Sequence, residues 1–477
     1  MGPILLIIGA IVISPILTYY ITSSLFFRTA NSKAANKHPP TIPYLVPELF
    51  KEYGTFAPFK VRSALQSYVV LRDPIHISRV LDAPDHLTTL GLKAEVAGKL
   101  YGLQVPPVAL DEGKERIIFH DFEEDMGLSA ATENYISVLS ANMHDKMFQY
   151  DTWTRIEDLW SFLQLVLLRC TLETLFGPAL LKRYPRMVRD YLNFDAVIEG
   201  FLHGLKDWTA KDWTAAANDD NRNATEAVGI RAVRGHLEAF PPDSMSRPAE
   251  VLSIIHTTNS TLHPQTFWTA LETLRKSHLT RNLTSLIRQN FSPITHKYDI
   301  PALTEEPLVQ SLQTEVHRLR TATCTVRINK TAGFPLDKHW SLRNGDMVTM
   351  FSHNLSLDRK AWKKAQPEAL GRPLEEFWAE RFLVADRKTR SGASNQKCDV
   401  GVLGDLITRL TKNDGYPGVK FLDALRMATI AVLFAEFEIQ LCDEDEVDAA
   451  IPPLGEDAFG TMKPVGKVAV RIRKRRT

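Results

Sequence analysis

Residues 4–27 carry no charged side chain, and no other feature constrains the chain as strongly. As a helix rising about 1.5 Å per residue, such a run spans ~36 Å, enough for a hydrocarbon core about 30 Å thick. A cleaved signal peptide has a basic start and a shorter apolar stretch. Here nothing basic precedes the run, whereas Arg28, Lys33 and Lys37 follow it. Residues 1–30 therefore read as an uncleaved transmembrane anchor. The positive-inside bias leaves the main body in the cytosol.

Pro39, Pro40, Pro43 and Pro47 stiffen residues 31–50 into a spacer, because proline fixes φ. The remainder, 51–477, is long enough to bury a large core, and 44% hydrophobic and 24% charged residues suit a globular body. Lysine and arginine number 57 against 56 acidic residues, a balance without the basic footprint of a nucleic-acid binder. The cysteines, Cys170, Cys324, Cys398 and Cys442, lie far apart and read as reduced thiols, neither a zinc site nor a disulfide framework. Sequons at Asn223, Asn259, Asn282, Asn290, Asn329 and Asn354 are chance matches in a cytosolic body.

Apolar spacing predicts helices over 129–146, 159–175 and 264–278, with a short strand from Tyr68 followed by a helix over 75–81. Strand-like stretches come late, at 323–328, 347–351 and 468–472. Asn344-Gly345 and the stretch from Gly415 to Gly418 read as turns. The expected architecture is mainly α with a minor β component, one large domain behind the anchor.

Three segments in order resemble the C-terminal half of a microsomal cytochrome P450 of fungal type. The first is Glu315-x-x-Arg318, whose spacing places both charges on one helix face. A strand, a turn into a second strand, Ser352-His353 through Asp358, and Phe377-Trp-Ala-Glu380-Arg381-Phe382 follow. The last is the tail from Phe437 and Phe459-Gly-Thr-Met-Lys-Pro onward. The resemblance implies a P450-like fold, a buried network of Glu315, Arg318 and Arg381, and a place in the endoplasmic reticulum membrane.

It also implies a haem loop, F-x-x-G-x-x-R-x-C-x-G, before a long apolar helix. The helix is present over 421–437, and Pro417-Gly418 with Phe421 fit the pattern's end. Tyr416 then stands at the position of the haem-ligand cysteine, Asp414 falls near the propionate-binding arginine, and Arg409-Leu-Thr-Lys-Asn replaces the phenylalanine–glycine stretch. A phenolate ligates haem iron in catalase, but a phenol titrates near pH ~10 and needs neighbouring cations to ionise.

The segment 253–268 corresponds to the helix that crosses the active site. It offers alcohols but no carboxylate, and Pro264-x-Thr266-Phe267-Trp268 resembles the sterol 7α-hydroxylase and prostacyclin synthase group. Pro264 predicts a kink that frees backbone groups. His256, Asn259, His263 and Gln265 are the candidate catalytic donors. The favoured reading has no cofactor: a cyclase or isomerase, for example a [4+2] ring closure on a terpenoid- or polyketide-like molecule. Haem with an atypical ligand in a monooxygenase is the alternative, and a cytochrome reductase is then a partner. A non-catalytic binding or scaffold protein, paired with active homologues of its pathway, is the third reading. In all three the partners are a hydrophobic small molecule and the membrane, not nucleic acid.

Overall fold

The computed structural model describes residues 56–63, 66–88, 125–144, 147–201, 246–385, 396–411, 418–454 and 460–476. The expected anchor, the spacer, Asn223 and Tyr416 lie outside them. The chain divides into two compact units, residues 1–88 with 324–351, and residues 89–323 with 352–477.

The smaller unit is a five-stranded sheet in the order Phe59–Ser63, Gln66–Leu71, Met347–Phe351, Cys324–Asn329, Leu87–Thr88. Met347–Phe351 runs parallel to Gln66–Leu71 and antiparallel to Cys324–Asn329. Val69, Val70, Leu71, Val348 and Met350 are buried, as expected of central strands. The helix Pro74–Leu81 starts where Asp73 accepts the Ile75 N–H at 2.8 Å and Pro74 supplies a pre-set φ. Gly345 has φ +81°, which accounts for the Asn344-Gly345 turn. The strands flanking that turn pair elsewhere, Ser341–Arg343 with Gly333–Pro335, so it joins two sheets and not a hairpin.

In the larger unit the helices Asp125–Met143, Leu159–Phe176, Ser246–Leu274 and Val419–Glu436 pack as a bundle, each against two of the others. Leu167, Leu168, Ile255, Leu271, Ala428 and Val432 are among its buried core. Tyr135 donates to Thr429 Oγ1 at 2.8 Å, while Thr429 donates to Leu425 O, so both hydroxyls inside the bundle are satisfied. Leu159–Phe176 is the one described helix long and apolar enough to cross a membrane, and half of it is buried within the bundle. A sheet of Phe437–Leu441, Val470–Lys474 and Thr154–Ile156 closes one end.

The helix expected at 264–278 proves to be the end of a much longer one. Pro264 lies inside Ser246–Leu274, and the break comes at Arg275 and Lys276, before Ser277–Gln289. Thr258, one of the alcohols of 253–268, and Thr269 and Thr273 beyond it return hydrogen bonds to carbonyls four residues earlier, so their hydroxyls are satisfied within the helix.

Candidate functional site

Glu315 is the hub of a buried charge cluster. Arg318 grips it with two bonds, Nε to Oε2 at 2.7 Å and Nη2 to Oε1 at 2.8 Å. Arg381 Nε reaches Oε1 at 2.9 Å, and the Trp378 N–H donates to the same oxygen at 3.0 Å. Burial works against the ionised carboxyl, but the guanidiniums of Arg318 and Arg381 prevail and hold it below its usual range. The excess cation is spread over carbonyls: Arg318 donates to Ser356 O, and Arg381 to those of Ala369, Arg372, Pro373 and Glu376. Ser311 completes the clamp, donating to Ala379 O at 2.6 Å while accepting the Phe382 N–H at 3.1 Å. The helix Pro307–Arg320 thus fixes the 377–382 loop.

The four donors proposed on the long helix separate. Asn259 faces Leu159–Phe176: its Oδ1 accepts from Thr171 Oγ1 at 2.8 Å and its Nδ2 donates to Ile255 O at 2.8 Å. Gln265 points elsewhere, its Oε1 accepting from Arg426 Nη1 at 2.7 Å on Val419–Glu436. Arg426 also reaches Asp423 Oδ1 at 2.6 Å and His317 Nε2 at 3.3 Å. Thr411 donates to Ile407 O at 2.8 Å, and its hydroxyl oxygen lies 3.3 Å from His317 Nδ1. His317 Nδ1 also lies 3.3 Å from Gln265 Nε2, so the ring is held among Gln265, Thr411 and Arg426. His317, Asp423 and Arg426 also line a cleft of about 1010 Å³.

His256 and His263 share one neighbourhood. His256 Nδ1 lies 3.4 Å from Tyr191 OH and 3.9 Å from Asp195 Oδ1. Asp195 is itself buried and pairs with Lys463 Nζ at 3.0 Å. The Lys463 segment is anchored to the long helix by Trp268 Nε1, which donates to Met462 O at 2.6 Å. Burial pushes the His256 pKa down to about 4 against the pull of Asp195, and that of His263 down to about 3. Both are neutral at pH 7, and His263 Nε2 has no hydrogen-bond partner among the described residues.

Sequence reading missed Asp195, Lys463, Arg426 and His317. Arg426 alone carried a signal, a cation in the middle of an apolar helix; the others become informative only once the chain is folded.

A haem–thiolate site needs a cysteine thiolate and a glycine-containing loop before the long helix. Counting back from Gly418, the pattern's phenylalanine and first glycine fall at Thr408 and Thr411, in the last turns of the helix Gly401–Thr411. Thr408 and Thr411 return hydrogen bonds to Gly404 O and Ile407 O at 2.8 Å each. The cysteines stand elsewhere, all as free thiols. Burial raises the pKa of Cys324 to about 12, and burial with Asp399 raises that of Cys398 to about 11, the opposite of what a thiolate ligand requires. The described part of this segment, Gly401–Thr411, is helix and holds no cysteine. Among the described residues no group of three or more His, Cys, Asp or Glu is placed to hold a metal.

No family model matches the chain. It is 27% identical over 390 residues to the cytochrome P450 monooxygenase fsoE of Humicola fuscoatra, covering 72% of this chain and 66% of that one. It is 25% identical over 374 residues to the cytochrome P450 monooxygenase efuG of Hormonema carpetanum, covering 68% and 65%. The chain thus spans just under two thirds of the length of these curated relatives. With the Glu315–Arg318–Arg381 cluster and the helical bundle, these matches support membership of the cytochrome P450 superfamily.

Proposed function

We propose that this chain is a P450-fold enzyme that works without a haem–thiolate, closing a ring or isomerising a hydrophobic, carbonyl-bearing substrate at a membrane surface. One observation carries the reading. The segment that would supply a haem loop runs as helix to Thr411, and Tyr416 follows where a ligand cysteine belongs. The Glu315 cluster beside it is complete, so the scaffold is kept while its usual chemistry lacks a ligand.

A [4+2] closure suits such a scaffold. Four π electrons of a diene and two of an alkene become two new σ bonds and one π bond, with no atom or electron gained or lost. Holding the reacting ends together can contribute roughly 7–11 kcal/mol when entropy dominates the barrier. A neutral imidazole N–H beside a carbonyl on the alkene lowers it further. His263, neutral and with an unpartnered ring nitrogen, and His256 with Asp195 and Lys463 behind it are the groups suited to that role. Asn259 and Gln265 hold helices together in this account and act only through the shape of the site.

The test is to incubate the full chain with linear polyene aldehydes in the absence of reductant and reductase. The expected product has the mass of its substrate and one stereochemistry. A racemic product formed at the uncatalysed rate would contradict the proposal. The names of the relatives favour a second reading, a monooxygenase using haem through another ligand. That reading predicts product only with an electron donor and oxygen.

A further inference from the structure

A second cleft, of about 1020 Å³, opens on the helical unit where the end of Ser277–Gln289 meets the last strand, Val470–Lys474. Arg288, Lys297, Lys474, Arg475 and Arg476 line it against two carboxylates, Glu133 and Glu436. Both carboxylates are engaged: Glu133 takes Lys297 at 2.7 Å, and Glu436 takes His144 at 2.6 Å and Tyr298 OH at 3.3 Å. Arg476 pairs with Asp151.

Arg288, Lys474 and Arg475 are left without a carboxylate partner among the described residues. Lys474 Nζ has the carbonyl of His144 at 3.3 Å, and Arg475 Nη2 that of Phe437 at 3.2 Å. Arg475 Nε has no partner. Burial lowers the pKa of its guanidinium, Glu438 opposes this, and the like charges of Arg288 and Arg473 lower it further. Glu438 is shared with Arg473, which it binds at 2.6 Å. Aromatic faces adjoin the cations: Phe291 and Tyr298 lie 4.9 Å apart, and Lys474 sits 5.8 Å from the Tyr150 ring.

Like charges held together at a partly buried site are relieved by an anion, and guanidiniums meet phosphate oxygens with paired, charge-assisted bonds. We propose that this cleft binds a phosphate-bearing anion, its charge held by Arg288, Lys474 and Arg475 and its apolar remainder by Tyr150 and Phe291. The site is separate from the one assigned to ring closure and does not depend on it.

Isothermal titration of the detergent-solubilised full chain with inorganic pyrophosphate tests a soluble ligand. Sedimentation with phosphatidic acid vesicles, against phosphatidylcholine vesicles, tests a lipid headgroup. The variant is Arg288→Glu, an exposed position in the last helical turn. The control is Arg281→Glu, also exposed on the same helix but outside the cleft. Saturable pyrophosphate binding, weakened about tenfold or more by Arg288→Glu and under about twofold by Arg281→Glu, supports a soluble phosphate. Extra retention on phosphatidic acid, abolished by Arg288→Glu alone, supports a headgroup. Absence of both, or equal losses in the two variants, overturns the proposal.

Discussion

Arg426 Nη1 donates to Gln265 Oε1 at 2.7 Å, joining the long helix Ser246–Leu274 to Val419–Glu436 across 161 residues of sequence. The contact brings a cation into the core, and Asp423, in the preceding turn, is its one carboxylate partner among the described residues. Burial lowers the pKa of the guanidinium and Asp423 opposes that shift. Removing the cation leaves Gln265, His317 and Asp423 without their common donor. Arg426→Ala is expected to cost about 3–5 kcal/mol, and a double-mutant cycle with Gln265→Ala to show coupling of roughly 1–3 kcal/mol. Urea unfolding of the four proteins measures both.

Glu315→Gln keeps the shape and removes the charge from beneath two buried guanidiniums. A loss of ~3–5 kcal/mol is expected from the same measurement. An unchanged midpoint would show that the carbonyls around Arg318 and Arg381 suffice without the carboxylate.

The buried histidines make stability pH-dependent. His263 has a folded pKa of about 3, far below the ordinary 6.5. Above about pH 6.5 it is neutral in both folded and unfolded chains. As pH falls below that value the unfolded chain takes up a proton that the folded one refuses. Stability is therefore lost progressively between about pH 6.5 and 3, by roughly 2 kcal/mol at pH 5 from this residue. His263→Leu should flatten the fall in urea midpoint between pH 7.5 and 5, and an identical slope would contradict the assignment.

Gly401 carries φ +59°, and a Cβ there would lie 2.5 Å from Gln366 Oε1. Gln366 Nε2 in turn holds Asp399 O at 3.0 Å, so it is not free to yield. Gly401→Ala is expected to destabilise by about 1–3 kcal/mol. Circular dichroism melting gives the check, with Gly333→Ala, which has open space, as the mild comparison.

Much of the scaffold was legible because it rests on local pattern. Glu315 and Arg318 sit three apart on a helix face, and the strand-like stretch 347–351 is a strand. Stretch 407–411 was not: its threonines and charges looked like a degenerate loop, yet Ile407 and Leu410 pack inward and make it helix. The site was half legible. His256 and His263 came from the sequence, but nothing local announces that Asp195 and Lys463 meet them. Asn259 and Gln265 looked like free donors because their partners, Thr171 and Arg426, are 88 and 161 residues away. The sequons at Asn259 and Asn329 are buried side chains bonded within the fold, which no tripeptide pattern discloses.

Whether the chain holds haem turns on Tyr416. The direct measurement is the visible spectrum of the full chain, expressed with excess haem precursor, before and after reduction under carbon monoxide. No Soret band is expected in the wild type and none is restored by Tyr416→Cys alone, because Thr408 and Thr411 still end a helix where the loop should be. A carbon-monoxide-sensitive Soret band at stoichiometric haem in the wild type would contradict it.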